Sequence, residues 1–391
     1  MRFIFHNPHD LIWYKSPFSF DLKRKGVQKY VHLLDYFLNN HEKIYVFVDR
    51  YTSRNGIRRI LPRLGSFYIW AIFNRINPLR FKVITDISKI NKEDIIFMFL
   101  YGNFTSQTGK LTASREESNN NISKTEAFKI VHLTHYIYYA NIGSVNSKNA
   151  NIDLFVAENN LFRNSVFFQN TFAWYNKDVY VLPFVPKDKF IRLKAFNERK
   201  NKAFATGTIT FPMDDKVFLS HFNHSMVHPM RTEIYENREN LQIYLDSIIT
   251  PITENKVSDG GVSNTKQEKY FSYDIVELFN EYKMFIVPEE VSSLPGMGFV
   301  EGMSCGSAFI GLNNPMYTDI GLKNKVNFIG YDGTLNDLKC KIDYYQKHQN
   351  ELEEIANNGY NFVIKHFNKN KIVEIFLKDV TTLSLNRNLK N

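Results

Sequence analysis

A chain of 391 residues exceeds the average domain of about 150 and points to two or three domains with a large buried core, which excludes a small stapled scaffold. With 43% hydrophobic and 23% charged residues, 34 Phe and 22 Tyr, it is globular and not disordered, and its two cysteines, Cys305 and Cys340, exclude a disulfide framework or a Cys-rich zinc site. The excess of 49 Lys and Arg over 40 Asp and Glu leaves +9, which favours acidic partners such as nucleotides, diphosphates or anionic lipid.

Apolar runs of strand length alternate with longer periodic segments, the pattern of a parallel sheet covered by helices. Arg2–His6 reads as a strand, Gly26–Leu38 as a helix and Ile44–Val48 as the next strand. Lys23 to Arg80 is basic, with Phe67, Tyr68, Trp70 and Phe73 interleaved among the arginines. It carries no Cys/His finger, RNP-like strand or basic zipper, which excludes nucleic acid as the expected partner. The stretch 54–80 suits a helix lying on a membrane face or a core helix with solvated arginines. The longest apolar run, Leu64–Phe73, is about half the ~20 residues needed to span a bilayer, and no secretion signal precedes it. The expected place is therefore cytoplasmic, with peripheral membrane contact through 54–80.

Further strands are expected at Phe81–Thr85, Asp94–Leu100, Phe128–Leu133, Asp153–Ala157 and Val179–Pro183. Ser106–Glu126 has few apolar residues and reads as a mobile loop. A basic, Pro-marked stretch, Phe184–Lys202, reads as a linker before a strand at Ala203–Gly207. The second half continues with a helix near Arg231–Ser247, a polar insert at Glu254–Lys269, a helix at Asp274–Glu281 and a strand at Met284–Val287. Strands at Ala308–Leu312 and Val326–Ile329, a helix over Leu335–Gly359 and a helical segment over Tyr360–Leu377 complete it. The apolar stripe of Tyr360, Phe362, Phe367, Ile372 and Phe376 is too large to leave in water.

The chemistry concentrates between Met284 and Gly311. A buried strand ends at Pro288, a glycine-punctuated loop follows, and a helix starts close to Glu301. Such a turn aims backbone N–H groups at a ligand above the strand's carboxyl end, a place for a phosphate. Gly296 and Gly298, flanking Met297, let the backbone approach a ligand without a Cβ in the way. The Glu301 carboxylate can accept two hydrogen bonds from a ribose diol. The same turn also serves purely structural ends in α/β proteins.

This run resembles the donor-binding signature of the GT-B glycosyltransferases of the large retaining group often called group 1 or family 4. Pro288 matches the strand end, Gly296 the turn glycine, Glu301–Gly306 the helix start and Ala308–Gly311 the following strand, while Asn327–Gly333 is similar to the family's next strand and acidic turn. The resemblance implies an α/β GT-B fold, two Rossmann-like domains facing across a cleft with a C-terminal helix crossing back. It assigns 1–186 to the acceptor, 187–359 to the nucleotide sugar and 360–391 to the returning helix. It further implies a metal-independent sugar transferase with a nucleotide sugar as co-substrate and no separate cofactor. The acceptor would be a glycan or a lipid-linked molecule, in surface polysaccharide or glycoconjugate synthesis. Of the family's paired glutamates, Glu301 is the second; Ser293 stands eight positions before it, with Glu289 and Glu290 earlier as the nearby carboxylates. Thr208, after Gly207, replaces the family's arginine, leaving Lys216 and Arg231 as the diphosphate cations. His135, at the end of Lys129–His135, is similar to a histidine that faces the sugar.

His6-Asn7-Pro8-His9-Asp10 follows the first strand, and His9 with Asp10 could form a base dyad. An inverting GT-B transferase or sugar-nucleotide epimerase using that dyad therefore stays open. So does a silent GT-B scaffold or carbohydrate-binding subunit, because Ser293 and Thr208 depart from the family.

Overall fold

Short runs rich in Ile, Phe and Val pair side by side, among the described residues, into two large parallel sheets. The computed structural model describes residues 1–6, 31–47, 72, 77–106, 109–111, 113–251, 257–258, 261–262 and 273–390. The chain divides into two compact units. Unit 1 takes Met1–Ala157, Leu161–Leu182 and Lys369–Asn391, and unit 2 takes Glu158–Asn160 and Pro183–Asn368.

In unit 1 the strands are β1 (Phe3–His6), β2 (Ile44–Phe47), β3 (Phe81–Ile84), β4 (Ile95–Phe99), β5 (Phe128–His132), β6 (Leu154–Ala157) and β7 (Tyr180–Val181). They lie in the order β3-β2-β1-β4-β5-β6-β7, with every pairing parallel. Every residue of β4 and β5 is buried, as expected for strands covered on both faces. The order reverses between β1 and β4, so the sheet has its topological switch point there, where α/β folds bind ligands. Phe5 packs edge to face on Phe3, Phe37 and Phe97, and Phe376 of helix Lys369–Lys390 joins them at 6.1 Å from Phe97. Tyr180 donates to Asp379 Oδ2 at 2.9 Å, and Arg387 pairs with Asp153 at 3.0 Å, so the same helix is held at three places.

The stretch expected to be a loop, Ser106–Glu126, contains a helix, Ala113–Ser123. Its polar composition hides a buried side: Ile122 is fully buried, Ser118 reaches His6, and Asn119 donates to the Asn103 carbonyl at 3.1 Å.

Unit 2 holds β8 (Lys200–Ala205), β9 (Thr208–Ile209), β10 (Leu245–Ser247), β11 (Thr250–Pro251), a hairpin of β12 (Val257–Ser258) with β13 (Gly261–Val262), β14 (Tyr282–Ile286), β15 (Ala308–Leu312) and β16 (Ile329–Tyr331). The main sheet runs β10-β8-β14-β15-β16, all parallel, with its switch point between β8 and β14. The helix expected over Arg231–Ser247 is only Pro229–Glu236, because buried Leu245 leads the chain into β10. The helix expected over Leu335–Gly359 is two, Leu335–Lys347 and Gln349–His366, meeting at His348. The strand expected at Val326–Ile329 is displaced to β16, since the Asn327 side chain accepts from Lys323 N at 2.7 Å and makes a turn. Tyr360, Phe362 and Phe367 lie in unit 2, Phe367 packing on Phe299 at 5.9 Å, whereas Phe376 lies in unit 1.

The basic stretch after Pro183 is laid firmly on unit 2. Phe190 packs on Phe279 at 6.1 Å, Arg192 stands 4.4 Å over the Tyr360 ring, Leu193 N donates to Asn280 Oδ1 at 2.7 Å, and Arg199 donates to the Cys305 carbonyl at 2.6 Å. Of the candidate membrane stretch 54–80, Ile72 and 77–80 lie within the described residues. Arg80 there donates to the Leu38 carbonyl at 2.6 Å, closing the end of helix Val31–Asn40. Among the described residues no helix is long and apolar enough to cross a membrane.

Candidate active site

The carboxyl edge of unit 2's sheet is organised by a single guanidinium. Pro229 opens helix Pro229–Glu236 and sets Arg231 on its first turn. Arg231 Nε donates to the Pro288 carbonyl at 2.7 Å and Nη1 to the Thr208 carbonyl at 2.9 Å, stitching together the ends of β8 and β14 at the switch point. Gly207 is required there: its φ is +148°, and a Cβ would meet Arg231 Nε at 2.7 Å. The residue expected to clamp a diphosphate thus also shapes the loop.

Behind it stands His228, 3% exposed, with Nδ1 3.2 Å from Thr210 Oγ1 and Nε2 3.9 Å from Glu290 Oε1. The loop after β14 is pinned by Val291 N donating to the Val227 carbonyl at 2.8 Å. Ser293 turns at φ 58°, its N–H bonded to the Glu290 carbonyl at 2.8 Å, so the position resembling the first family glutamate is a left-handed turn. Glu289 is buried and points into the sheet end: Tyr317 donates to its Oε1 at 2.6 Å and Leu312 N at 3.3 Å. Burial pushes its carboxyl up, while the Tyr317 hydroxyl and Arg231 oppose the shift.

Glu301 lies in the first turn of helix Gly298–Ser304 and is 7% exposed. Lys187 Nζ is 3.0 Å from its Oε1. Burial raises the carboxyl above its ordinary range, and Lys187, then Lys189, pull it back. Gly298 lets the helix close on β14's extension, since a Cβ would meet Val287 Cγ2 at 2.8 Å; at Gly296 a Cβ would find ordinary contact at 3.6 Å. Met297, half-buried, precedes the helix without a side-chain cap, and Lys216 is exposed at the start of helix Lys216–Phe222. The structure therefore brings together Gly207, Thr208 and Arg231 by direct contact, and pairs Glu301 with a residue the sequence reading passed over, Lys187.

The carboxyl edge of unit 1's sheet carries different groups. His6 ends β1 at the switch point, 1% exposed and stacked 5.3 Å from Phe47, with Nδ1 3.3 Å from Asn103 Nδ2 and Nε2 3.2 Å from Ser118 Oγ. His132, the last residue of β5, has Nδ1 2.8 Å from Thr134 Oγ1. His135 follows at φ 51°, its ring edge-on to Tyr101 at 5.4 Å and Tyr138 at 5.6 Å, and those two tyrosines meet at 6.1 Å. His135 lies just past the end of β5, the position expected of it. Asn103, Ser118 and His132, which share this edge, were not among the expected site residues, although a histidine ending an apolar strand is a signal the sequence carries. His9 and Asp10 lie outside the described residues. Among the described residues no three His, Cys, Asp or Glu side chains gather as a metal site.

By sequence, the chain matches no protein-family model and no curated protein. By structure it is similar over 98% of its length to 100% of HepE from Anabaena, solved with UDP, at 12% identity and a TM-score of 0.54. A glycosyltransferase from Rickettsia africae matches over 98% of each chain at 13% identity and a TM-score of 0.51. Sucrose-phosphate synthase from Thermosynechococcus elongatus matches over 98% of this chain and 99% of its own at 10% identity and a TM-score of 0.51. Two parallel sheets in these two units, matched along nearly their whole length, give the chain the fold of the GT-B glycosyltransferases.

Proposed function

We propose that the protein transfers a sugar from a nucleotide-activated donor to a glycan or lipid-linked acceptor, in surface polysaccharide or glycoconjugate synthesis. The observation that carries this reading is Glu301, a carboxylate 7% exposed with a lysine 3.0 Å away, set beyond the carboxyl end of β14 in a GT-B fold. HepE, whose fold this chain shares, has been solved with UDP and with UDP-glucose. In this reading Glu301 accepts from the ribose diol, and the Gly207–Thr208 turn and the loop through Ser293, Gly296 and Gly298 shape the diphosphate site. Lys216 and Arg231 lend positive charge there. His135 meets a sugar hydroxyl, and His9 and Asp10 stand as further acceptor-side candidates. Chemistry is then mainly positioning, together with stabilisation of an oxocarbenium-like centre and a departing phosphate. The protein works in the cytoplasm, with 54–80 as its contact with a membrane face.

Ser293, a left-handed turn where the family has a glutamate, favours a second reading as a silent carbohydrate-binding subunit. Assaying sugar release and transfer by the purified chain with UDP-, GDP-, ADP-, dTDP- and CMP-sugars separates the two. Calorimetric titration with the matching free nucleotides tests the site itself. Glu301→Gln should weaken binding by about 1.5–3 kcal/mol, because the amide is uncharged and offers one acceptor oxygen, with an NH2 donor in place of the other. Unchanged affinity would remove the ribose contact.

A further inference from the structure

A carboxylate as deeply placed as Glu301 takes up a proton unless a cation stands beside it. Among the described residues the charged and titratable groups around it are Lys187 and Lys189, from the segment that follows Pro183, and Cys305 at the end of its own helix. Arg231 is engaged with the Thr208 and Pro288 carbonyls, and Thr208 itself carries no charge. The Lys187 ammonium, 3.0 Å from Oε1, is the ion-pair partner of this carboxylate. Its backbone is anchored close by, because Phe184, Val185 and Phe190 on either side of it are buried. An ammonium on one lone pair of Oε1 leaves the other lone pairs of the carboxylate for a diol.

We propose that Lys187 is a positioning residue of the donor site, holding Glu301 ionised and oriented for the nucleotide's ribose. The inference rests on the nucleotide-sugar reading above and adds to it a residue outside the donor-binding run. Without the lysine, Glu301 holds its proton to higher pH. A protonated carboxyl presents a donor where the diol needs an acceptor, so binding weakens at low pH and recovers as the group ionises.

The test is calorimetric titration of the full chain, from pH 5.5 to 8.5, with whichever of UDP, GDP, ADP, dTDP or CMP the wild type binds. Affinities are read as the ratio of wild type to variant at each pH, which cancels the ligand's own titration. Lys187→Met should bind several-fold more weakly than wild type at pH 5.5, because its carboxyl stays protonated to higher pH, and should approach wild type at pH 8.5. Lys187→Arg should restore the wild-type profile. In a Glu301→Gln background, Lys187→Met should add no pH dependence. A ratio constant with pH, whatever its size, overturns the proposal, as does a pH-dependent loss that persists in the Glu301→Gln background. If the wild type binds none of the five nucleotides, the donor reading falls and this inference with it, an outcome distinct from a wild type that binds and a variant that behaves like it.

Discussion

Two parallel sheets in one chain present two chemically different carboxyl edges. At the switch point of unit 1 stand His6, Asn103 and Ser118, joined by hydrogen bonds, and beyond the end of β5 the rings of Tyr101, His135 and Tyr138 meet. At the switch point of unit 2 an arginine ties two strand ends together, with buried Glu289 in its field, and Glu290 and the helix residue Glu301 follow later in the chain after β14. One topology thus carries an edge of hydrogen-bonding groups and aromatic rings and another that gathers an arginine and carboxylates. The strand order places each edge, and the side chains choose its ligand.

The comparison breaks most visibly at Arg231. Arg231→Met removes two charge-assisted hydrogen bonds from backbone carbonyls at the switch point, and stability should fall by about 3–5 kcal/mol. Denaturant unfolding measures this, and Arg231→Lys should recover less than half of the loss, because one ammonium cannot hold both carbonyls in the planar geometry of a guanidinium. A stable Arg231→Met protein would show that the loops of unit 2 hold their shape without the guanidinium.

A smaller effect is expected in unit 1. His135→Ala should lower turnover by about 10- to 100-fold, the scale of one general acid–base or hydroxyl contact, while nucleotide affinity stays as it was. Comparing kcat with the calorimetric Kd separates the two edges. An equal loss in both would place His135 with the nucleotide and erase the distinction drawn here.

The smallest effect concerns a cation that unit 1 buries at the opposite end of β5. Lys129 is 2% exposed, and burial brings its ammonium down to about 8, with Asp153 opposing the shift. The folded chain therefore releases this proton near pH 8, while the unfolded chain keeps it to about 10.4. Between those values the unfolded state binds more protons, so stability rises with pH through that window. Lys129→Met should stabilise by about 1 kcal/mol at pH 7 and flatten the rise. Denaturant midpoints at pH 7 and 9.5 check it; a rise that survives in the variant would assign the titration to another group.

How far the sequence could be read depended on how far apart the partners lie. The turn from Pro288 to Gly311 is local, and its strand, glycine loop, Glu301 and following strand stand where periodicity and punctuation put them. The place of His135 is legible for the same reason, since a strand ending at His132 carries the chain to it. Helix Ala113–Ser123 was not, because its apolar content is too low and what holds it is Ser118 meeting His6, 112 residues away. Lys187 was read as part of a basic linker, and nothing adjacent in sequence says that its ammonium reaches a carboxylate 114 residues on. Arg231 stands on the first turn of a helix that Pro229 opens, a local signal, but its two carbonyl partners belong to loops 23 and 57 residues away.

By itself, then, the amino-acid order determined the alternation of strands and helices, the glycine turn after β14 and the presence of a carboxylate on the helix behind it. Each follows from interactions among residues a few positions apart, where side-chain period, Pro and Gly act directly on the backbone. Only the tertiary structure decided which charges meet. It buried Glu289 against Tyr317, gave Glu301 a lysine, turned Arg231 onto backbone carbonyls and placed His6 at a switch point. The energy of a charge depends on its distance to others and on the water it has lost, and neither quantity exists until the sheets are assembled.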